Sequence, residues 1–251
     1  MYTLTNDVLD LIIQRCSRSS LFNCCQTNNQ LYSIAVTYMY KDPFGLDLAD
    51  YPKYPPKTQT LKKRITNLLK TLEDNNHLAK LVRFFRSLFW GRHVIRHIDI
   101  IRVLPHLKQH LTTVDLDGGV GMMTWRESFN ILEVLHVHSS KVRHIKVDVW
   151  PESSFRSVNN DQEMIRILGS FLHLQDIDIA IDRDLDAEAP LSVVQTIAKT
   201  CPELRFVNWR PRSYLEEGIF NSRGRAFRVY QYTLVNDVWE TNRATGIEQG
   251  I

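Results

Sequence analysis

The chain is predicted to fold as an α/β solenoid of alternating helices and short parallel strands behind a separate helical head, and three observations predict it. An apolar-x-x-apolar-x-apolar hexamer recurs four times, at 111–116, 142–147, 174–179 and 204–209. The starts of these hexamers lie 31, 32 and 30 residues apart, a period that accommodates one strand and one helix. Ahead of them, residues 1–45 carry a helical apolar spacing in a span too short to enclose a core of its own.

In the head, Leu4, Val8, Leu11 and Ile12 fall on one helical stripe, and Asn6 and Asp7 are side chains suited to cap the N–H groups where that helix begins. A second apolar cluster follows at Leu21, Phe22, Cys24 and Cys25. A third runs through Leu31, Tyr32, Ile34, Ala35, Tyr38 and Met39, until Asp42-Pro43-Phe44-Gly45 breaks the pattern. Three helices of this size need something else to cover their apolar faces.

Leu4-Thr5-Asn6-Asp7-Val8-Leu9-Asp10-Leu11-Ile12, then Ser20-Leu21-Phe22-Asn23-Cys24-Cys25, then Asn28-Asn29-Gln30-Leu31-Tyr32-Ser33-Ile34-Ala35, closed by Tyr40-Lys41-Asp42-Pro43, resembles an F-box of the fungal style. The resemblance implies docking on a Skp-family adaptor and, through it, a cullin, as in an SCF-type ubiquitin ligase. By position, Leu4, Thr5, Val8, Leu9, Ile12 and Leu21 match residues that contact the adaptor in that family. Thr5 stands where the family carries proline, and Gln26-Thr27 where it carries a more apolar pair. Proline would fix φ and pre-organise the helix start, so its absence is expected to weaken docking without abolishing it. The competing expectation is an ordinary helical cap packed on the repeats.

Residues 46–59 turn to tyrosine and proline, with Tyr51-Pro52-Lys53-Tyr54-Pro55-Pro56, and read as a linker. The body is expected over 60–235. It opens with an amphipathic helix over 60–72, on which Leu61, Ile65, Leu68, Leu69 and Leu72 share a side. A looser first copy of the repeat starts near Leu78 and Leu81 and runs into Phe84 and Phe85. Helices are expected before the four hexamers, at 98–110, 125–138, 162–172 and 191–200, with Pro202 stopping the last one. Strand alternating with helix at this period resembles an irregular leucine-rich repeat, whose units bury their apolar faces only by stacking. A compact doubly wound α/β domain is the rival, and the regular period argues against it. Residues 227–235 are expected to add a last strand, with Trp239 helping to cover the open end, and 236–251 read as a polar, partly disordered tail.

With 43% hydrophobic and 24% charged residues, 251 residues can fill one sizeable core and add a small module. There is no apolar run of the ~20 residues a membrane helix needs and no signal-peptide pattern at Met1-Tyr2-Thr3, so no membrane and a cytoplasmic or nuclear setting are expected. Cys16, Cys24, Cys25 and Cys201 form no CxxC pair and suit a reduced protein. A formal charge of +3 does not mark a polyanion partner.

Candidate chemistry fails on inspection. His106 and His110 are spaced like two metal ligands on a helix, but Leu107 stands where HExxH needs glutamate and no third ligand accompanies them. His136, His138 and His144 come without a nucleophile. Asp182, Asp184 and Asp186 imitate a calcium loop that lacks its glycine at Ala187 and its glutamate at Val193. Gly118, Gly119 and Gly121 are followed by no Lys-Ser/Thr pair. Arginines mingle with aromatics over 83–96 and 205–228, a composition that serves nucleic acid or plain packing, and the near-balance of charge disfavours the former. No catalytic residue, metal or cofactor is expected.

The reading is therefore a non-catalytic substrate receptor, with the head on the adaptor and the repeat surface on a target protein. In each hexamer the intervening residues face the open side of the sheet. These are Thr112, Thr113 and Asp115, then Arg143, His144 and Lys146, then Gln175, Asp176 and Asp178, then Arg205, Phe206 and Asn208. The last nine are the expected target contacts, a basic strip beside an acidic one. The alternative is a freestanding protein- or RNA-binding repeat protein with no ligase association.

Overall fold

The computed structural model describes residues 5–44, 58–86, 97–107, 110–117, 125–138, 141–148, 159–182, 189–212 and 225–248. The expected linker lies almost wholly outside them.

The head is three helices, α1 (Asn6–Ile13), α2 (Arg18–Thr27) and α3 (Asn29–Lys41). Ser17 Oγ accepts the N–H of Ser20 at 3.2 Å and Asn28 Oδ1 that of Leu31 at 2.9 Å, so α2 and α3 start on side-chain caps. For α1 the expected caps are displaced: Thr5 is the N-cap, with no side-chain cap bond, and Asn6 Oδ1 instead accepts from Gln30 Nε2 on α3 at 2.8 Å. Ile13, Leu21 and Ala35 are the fully enclosed residues between these helices.

The body stacks five parallel strands, β1 (Phe84–Arg86), β2 (Thr113–Asp117), β3 (His144–Asp148), β4 (Asp176–Asp182) and β5 (Phe206–Arg212). Helices α4 (Thr58–Asp74) and α5 (Asn76–Ala79) precede the first strand. Helices α6 (His97–Val103), α7 (Trp125–His138), α8 (Asn159–Leu168) and α9 (Ala189–Thr200) separate the rest. Strand order follows chain order, and α4, α6, α7, α8 and α9 touch one after another in one layer. That is a solenoid of leucine-rich-repeat-like turns; a doubly wound domain would need helices on both faces and a reversal of strand order.

Inward residues meet across the strands in rows, Phe85–Val114–Ile145–Ile177–Val207 and Leu116–Val147–Ile179–Trp209, because one residue per turn occupies each register position. Leu111, Val142, Leu174 and Leu204 fill the turns before the strands, and all are buried. The first turn follows the same rule from Val82, which is buried ahead of Phe85; the expected start near Leu78 lies in α5 instead. The helix expected over 98–110 ends at Val103 and tightens into a 3-10 turn over Leu104–Leu107 that contains Pro105. Gly169 closes α8 where a Cβ would overlap Thr200 Oγ1 and the Ile165 carbonyl, so the ends of α8 and α9 approach closely there.

The C-terminal segment departs from expectation. Of the expected polar tail over 236–251, residues 236–248 are ordered as sheet: β6 (Arg225–Val235) and β7 (Val238–Glu248) form an antiparallel hairpin that extends it. Asn236 and Asp237, at φ 49° and 64°, make the two-residue turn that matches strand twist. Tyr232 is fully buried against the last turn, and Trp239 packs on the same core, as expected of a cover for the open end.

At the other end the head is the cover. Val36 and Phe44 belong to the solenoid core, and the Phe44 ring meets Phe85 edge-on at 5.1 Å. The Arg83 N–H donates to the Lys41 carbonyl at 2.9 Å, and Arg86 pairs with Asp42 at 3.1 Å, so residues 41–44 sit along the outer edge of β1.

Candidate functional site: an exposed helical stripe and an open sheet face

The first candidate surface is on α1. Val8, Leu11 and Ile12, at helical spacing, are 41%, 63% and 52% exposed, while Ile13 turns inward. Phe22 on α2 and Tyr32 on α3 add 52% and 43% exposure on the same unit. Of the residues expected to meet an adaptor, Thr5, Val8 and Ile12 are exposed and Leu9 is half-buried. Leu21 is buried with Ile13 and Ala35, because its side of α2 faces the other helices; it holds the stripe in place and offers no surface. Leu4 lies outside the described residues.

Polar contacts fix α1 on α3. The Tyr38 hydroxyl sits 2.9 Å from both carboxylate oxygens of Asp10 and accepts from Gln14 Nε2 at 2.8 Å. Burial, and then the Asp10 bond and charge, keep that hydroxyl protonated above the ordinary range of tyrosine, against the opposing pull of Gln14. The Asn6–Gln30 bond repeats the link one end earlier. An apolar stripe held this way is pre-organised.

The second surface is the open face of the sheet, opposite the helices. Six of the nine expected target residues lie on it in two rows. One row runs Phe84–Thr113–His144–Asp176–Phe206 and the other Arg86–Asp115–Lys146–Asp178–Asn208. All ten are half-buried. The basic strip on β3 and the acidic strip on β4 are adjacent, as expected, and they engage: His144 Nδ1 lies 2.5 Å from Asp176 Oδ2. Lys146 Nζ reaches back to Asp115 on β2 at 3.9 Å. Arg86 covers the Phe84 ring at 5.6 Å. The face is thus balanced in charge across its strands.

The other three expected residues, Arg143, Gln175 and Arg205, precede their strands and do not share that face. Each donates its N–H to the matching residue of the previous turn, which puts them in a row along the N-terminal rim of the sheet. The hexamer pattern alone does not separate rim from face.

The candidate chemistry of the sequence does not assemble. His106 sits in the 3-10 turn and His110 beyond it, so the helical pairing of the two rings is lost. Asp184, Asp186 and the glycines over 118–121 lie outside the described residues. Among the described residues, no three His, Cys, Asp or Glu side chains gather to hold a metal, and no helix is long and apolar enough to cross a membrane. Cys201 is buried with its thiol 3.3 Å from the Leu168 carbonyl, and burial pushes its pKa up to about 11.

No family model matches the chain, and no curated protein is significantly similar to it. Among solved structures, the tropomodulin C-terminal domain of Caenorhabditis elegans is similar at 12% identity, covering 66% of this chain and 91% of that one, with a TM-score of 0.41.

Proposed function

We propose that the chain is a substrate receptor of an SCF-type ubiquitin ligase, its head docking on a Skp-family adaptor, and through it a cullin, while the repeat surface holds a target protein. The observation that carries this reading is the α1 stripe. Val8, Leu11 and Ile12 keep their apolar side chains in solvent, although the other side of the same head is fixed to the solenoid. A helix that served only to cap the repeats would turn its apolar stripe toward them. This one turns much of it away, and two of its exposed positions, Val8 and Ile12, match adaptor contacts of the F-box.

The chain itself would break no bond. Its contribution is effective concentration: a target held beside the ubiquitin-carrying enzyme meets it in a near-intramolecular encounter. A rigid joint between head and repeats serves that purpose, because a target placed on the body is then placed relative to the adaptor. The joint at Phe44–Phe85 and Asp42–Arg86 is of that kind.

The test is co-expression of the full chain with a Skp-family adaptor, beside the double variant Val8→Asp, Ile12→Asp. Both substituted side chains are exposed, so the variant should melt with the parent. Capture of the adaptor by the parent and its loss in the variant is the expected result. Equal capture by both, or none by the parent, removes the reading.

A further inference from the structure

The two surfaces of the sheet differ sharply in charge. On the open face, cations and carboxylates alternate from strand to strand. Along the N-terminal rim they do not. Lys41, Arg83, Thr112, Arg143, Gln175 and Arg205 occupy successive rungs of one backbone ladder, each N–H donating to the carbonyl of the rung before at 2.8–2.9 Å. Rungs of such a ladder are about 4.8 Å apart. Four of these six residues are Lys or Arg and none is acidic.

Lys80, His110 and Lys141 lie beside the same rungs. Burial, and then the charges of Arg83, Lys141 and Lys80, hold the pKa of His110 below its ordinary value, so these side chains share one positive field. Of the carboxylates that flank the row in sequence, Asp42 is drawn off the rim while Glu203 lies on it, between His173, Gln175 and the charge of Arg143. Asp42 is taken by Arg86 at 3.1 Å, and Glu203 by His173 at 2.7 Å and Gln175 at 3.2 Å. Lys41, Lys80, Lys141, Arg143 and Arg205 are exposed.

We infer that this rim is a binding strip for an acidic polypeptide segment, laid across the solenoid turns with its carboxylates opposite Lys80, Lys141, Arg143 and Arg205. Cations along one edge, with neutral Thr112 and Gln175 between Arg83, Arg143 and Arg205, sum to a positive field that draws an anionic partner. Two features favour polypeptide over single-stranded nucleic acid. The exposed large apolar side chains in the segments that lead into this edge are aliphatic, Val137 near the end of α7 and Leu172 in the turn after α8, suited to peptide side chains. Bases stack most strongly on phenyl, phenol and indole rings, and none of the rim residues named above carries one. As a statement about the target this rests on the receptor reading; as a binding surface it is tested without any adaptor.

The probe is a fluorescein-labelled deca-glutamate peptide titrated with the full chain at low salt and followed by anisotropy, with labelled deca-lysine and a labelled oligouridylate as comparisons. Saturable binding of deca-glutamate is expected, weakened about tenfold or more when salt is raised several-fold, since the contacts are exposed. The triple variant Lys80→Glu, Lys141→Glu, Arg143→Glu should weaken it by at least as much, whereas Arg64→Glu on α4 should leave it unchanged. Should the triple variant melt early, Arg143→Ser alone should still weaken binding several-fold. Undiminished binding by the charge-reversed rim, or no saturable binding by the parent, overturns the assignment. Oligouridylate bound more tightly than deca-glutamate, and lost in the same variant, overturns it in favour of nucleic acid. Adaptor capture by the triple variant separates the two readings: adaptor kept and peptide lost leaves each surface with its own partner.

Discussion

In the body, the twelve apolar positions of the four hexamers, from Leu111 to Trp209, are all within 2% of complete burial. In the head, three of the apolar residues on α1 remain 41–63% exposed, and among the described residues three between the helices are enclosed. Both regions carry the periodicity of their secondary structure equally clearly. What separates them is supply: each body strand finds the next turn of the solenoid on its inner side, while the head finds the solenoid on one side and solvent on the other. A regular apolar pattern therefore says which face is to be covered. Only the neighbours say whether this chain covers it.

The sharpest way to break that comparison is at the joint. Phe44 belongs by sequence to the head and by packing to the body, and Phe44→Ala should cost about 3–5 kcal/mol, as large aromatic truncations in cores do. Hydrogen exchange should then show α1, α2 and α3 losing protection together with β1. Retained protection of the head would mean that it stands alone, and the comparison would fail. In the middle of the body, Ile177→Ala should cost about 2–5 kcal/mol in urea melts. The exposed pair Val8→Asp, Ile12→Asp should cost about 0.5 kcal/mol or less. Similar losses from these two variants would show that the stripe is buried in solution.

Gly169→Ala tests how tightly neighbouring turns are stacked. The new methyl would overlap the Thr200 hydroxyl and the backbone carbonyl of Ile165, and of these only the first can rotate away. A loss of about 1–3 kcal/mol is expected, as for other overpacked sites. No loss would show that α8 and α9 can part without cost.

Acid reads a contact between turns of the body. The Glu203 carboxylate, bonded first by His173 and then by Gln175, has its pKa lowered from the ordinary 4.5. A carboxylate with a depressed folded pKa stabilises the fold above its unfolded value and loses that contribution as pH falls through the folded one. The parent should therefore lose stability below about pH 4.5, and Glu203→Gln should flatten that part of the profile. Because Glu203 is on the surface, the difference will be small, and added salt should shrink it. A difference that survives high salt would point to another group.

Much of this was legible in the residues and some was not, for physical reasons. The hexamer period placed four strands to within a few residues, since Leu111, Val142, Leu174 and Leu204 each mark the turn before a strand. It missed the start of the first turn, where Leu78 in the short α5 and Leu81 just past it fall at a misleading spacing. The β7 strand was hidden by composition: Glu240, Thr241 and Asn242 read as polar tail because both faces of this edge strand meet water there. The signal was present in Asn236-Asp237, a pair that accepts positive φ, between Val235 and Val238. Helical periodicity put Val8 and Ile12 on one stripe with Leu11. It did not reveal that Leu21 turns inward, which depends on how α2 crosses its neighbours. The charged rim escaped for the same reason as the face-versus-rim division of Arg143 from His144: one residue of chain direction decides it.

The smallest effect concerns the head's own departure from the F-box pattern. Thr5 precedes α1 with φ −68° and ψ 156°, and its side chain makes no cap bond. Its carbonyl accepts the Leu9 N–H at 3.1 Å, a bond that proline would keep. The backbone is therefore already where proline would fix it, near −65°. Thr5→Pro should stabilise the chain by about 0.4–1 kcal/mol, by narrowing the unfolded ensemble. It should also tighten adaptor capture, because an α1 that frays less presents Val8, Leu11 and Ile12 more of the time. Higher stability with unchanged capture would confine Thr5 to folding. Lower stability would mean that the Thr5 N–H has a bonding partner, and that the threonine is there to supply it.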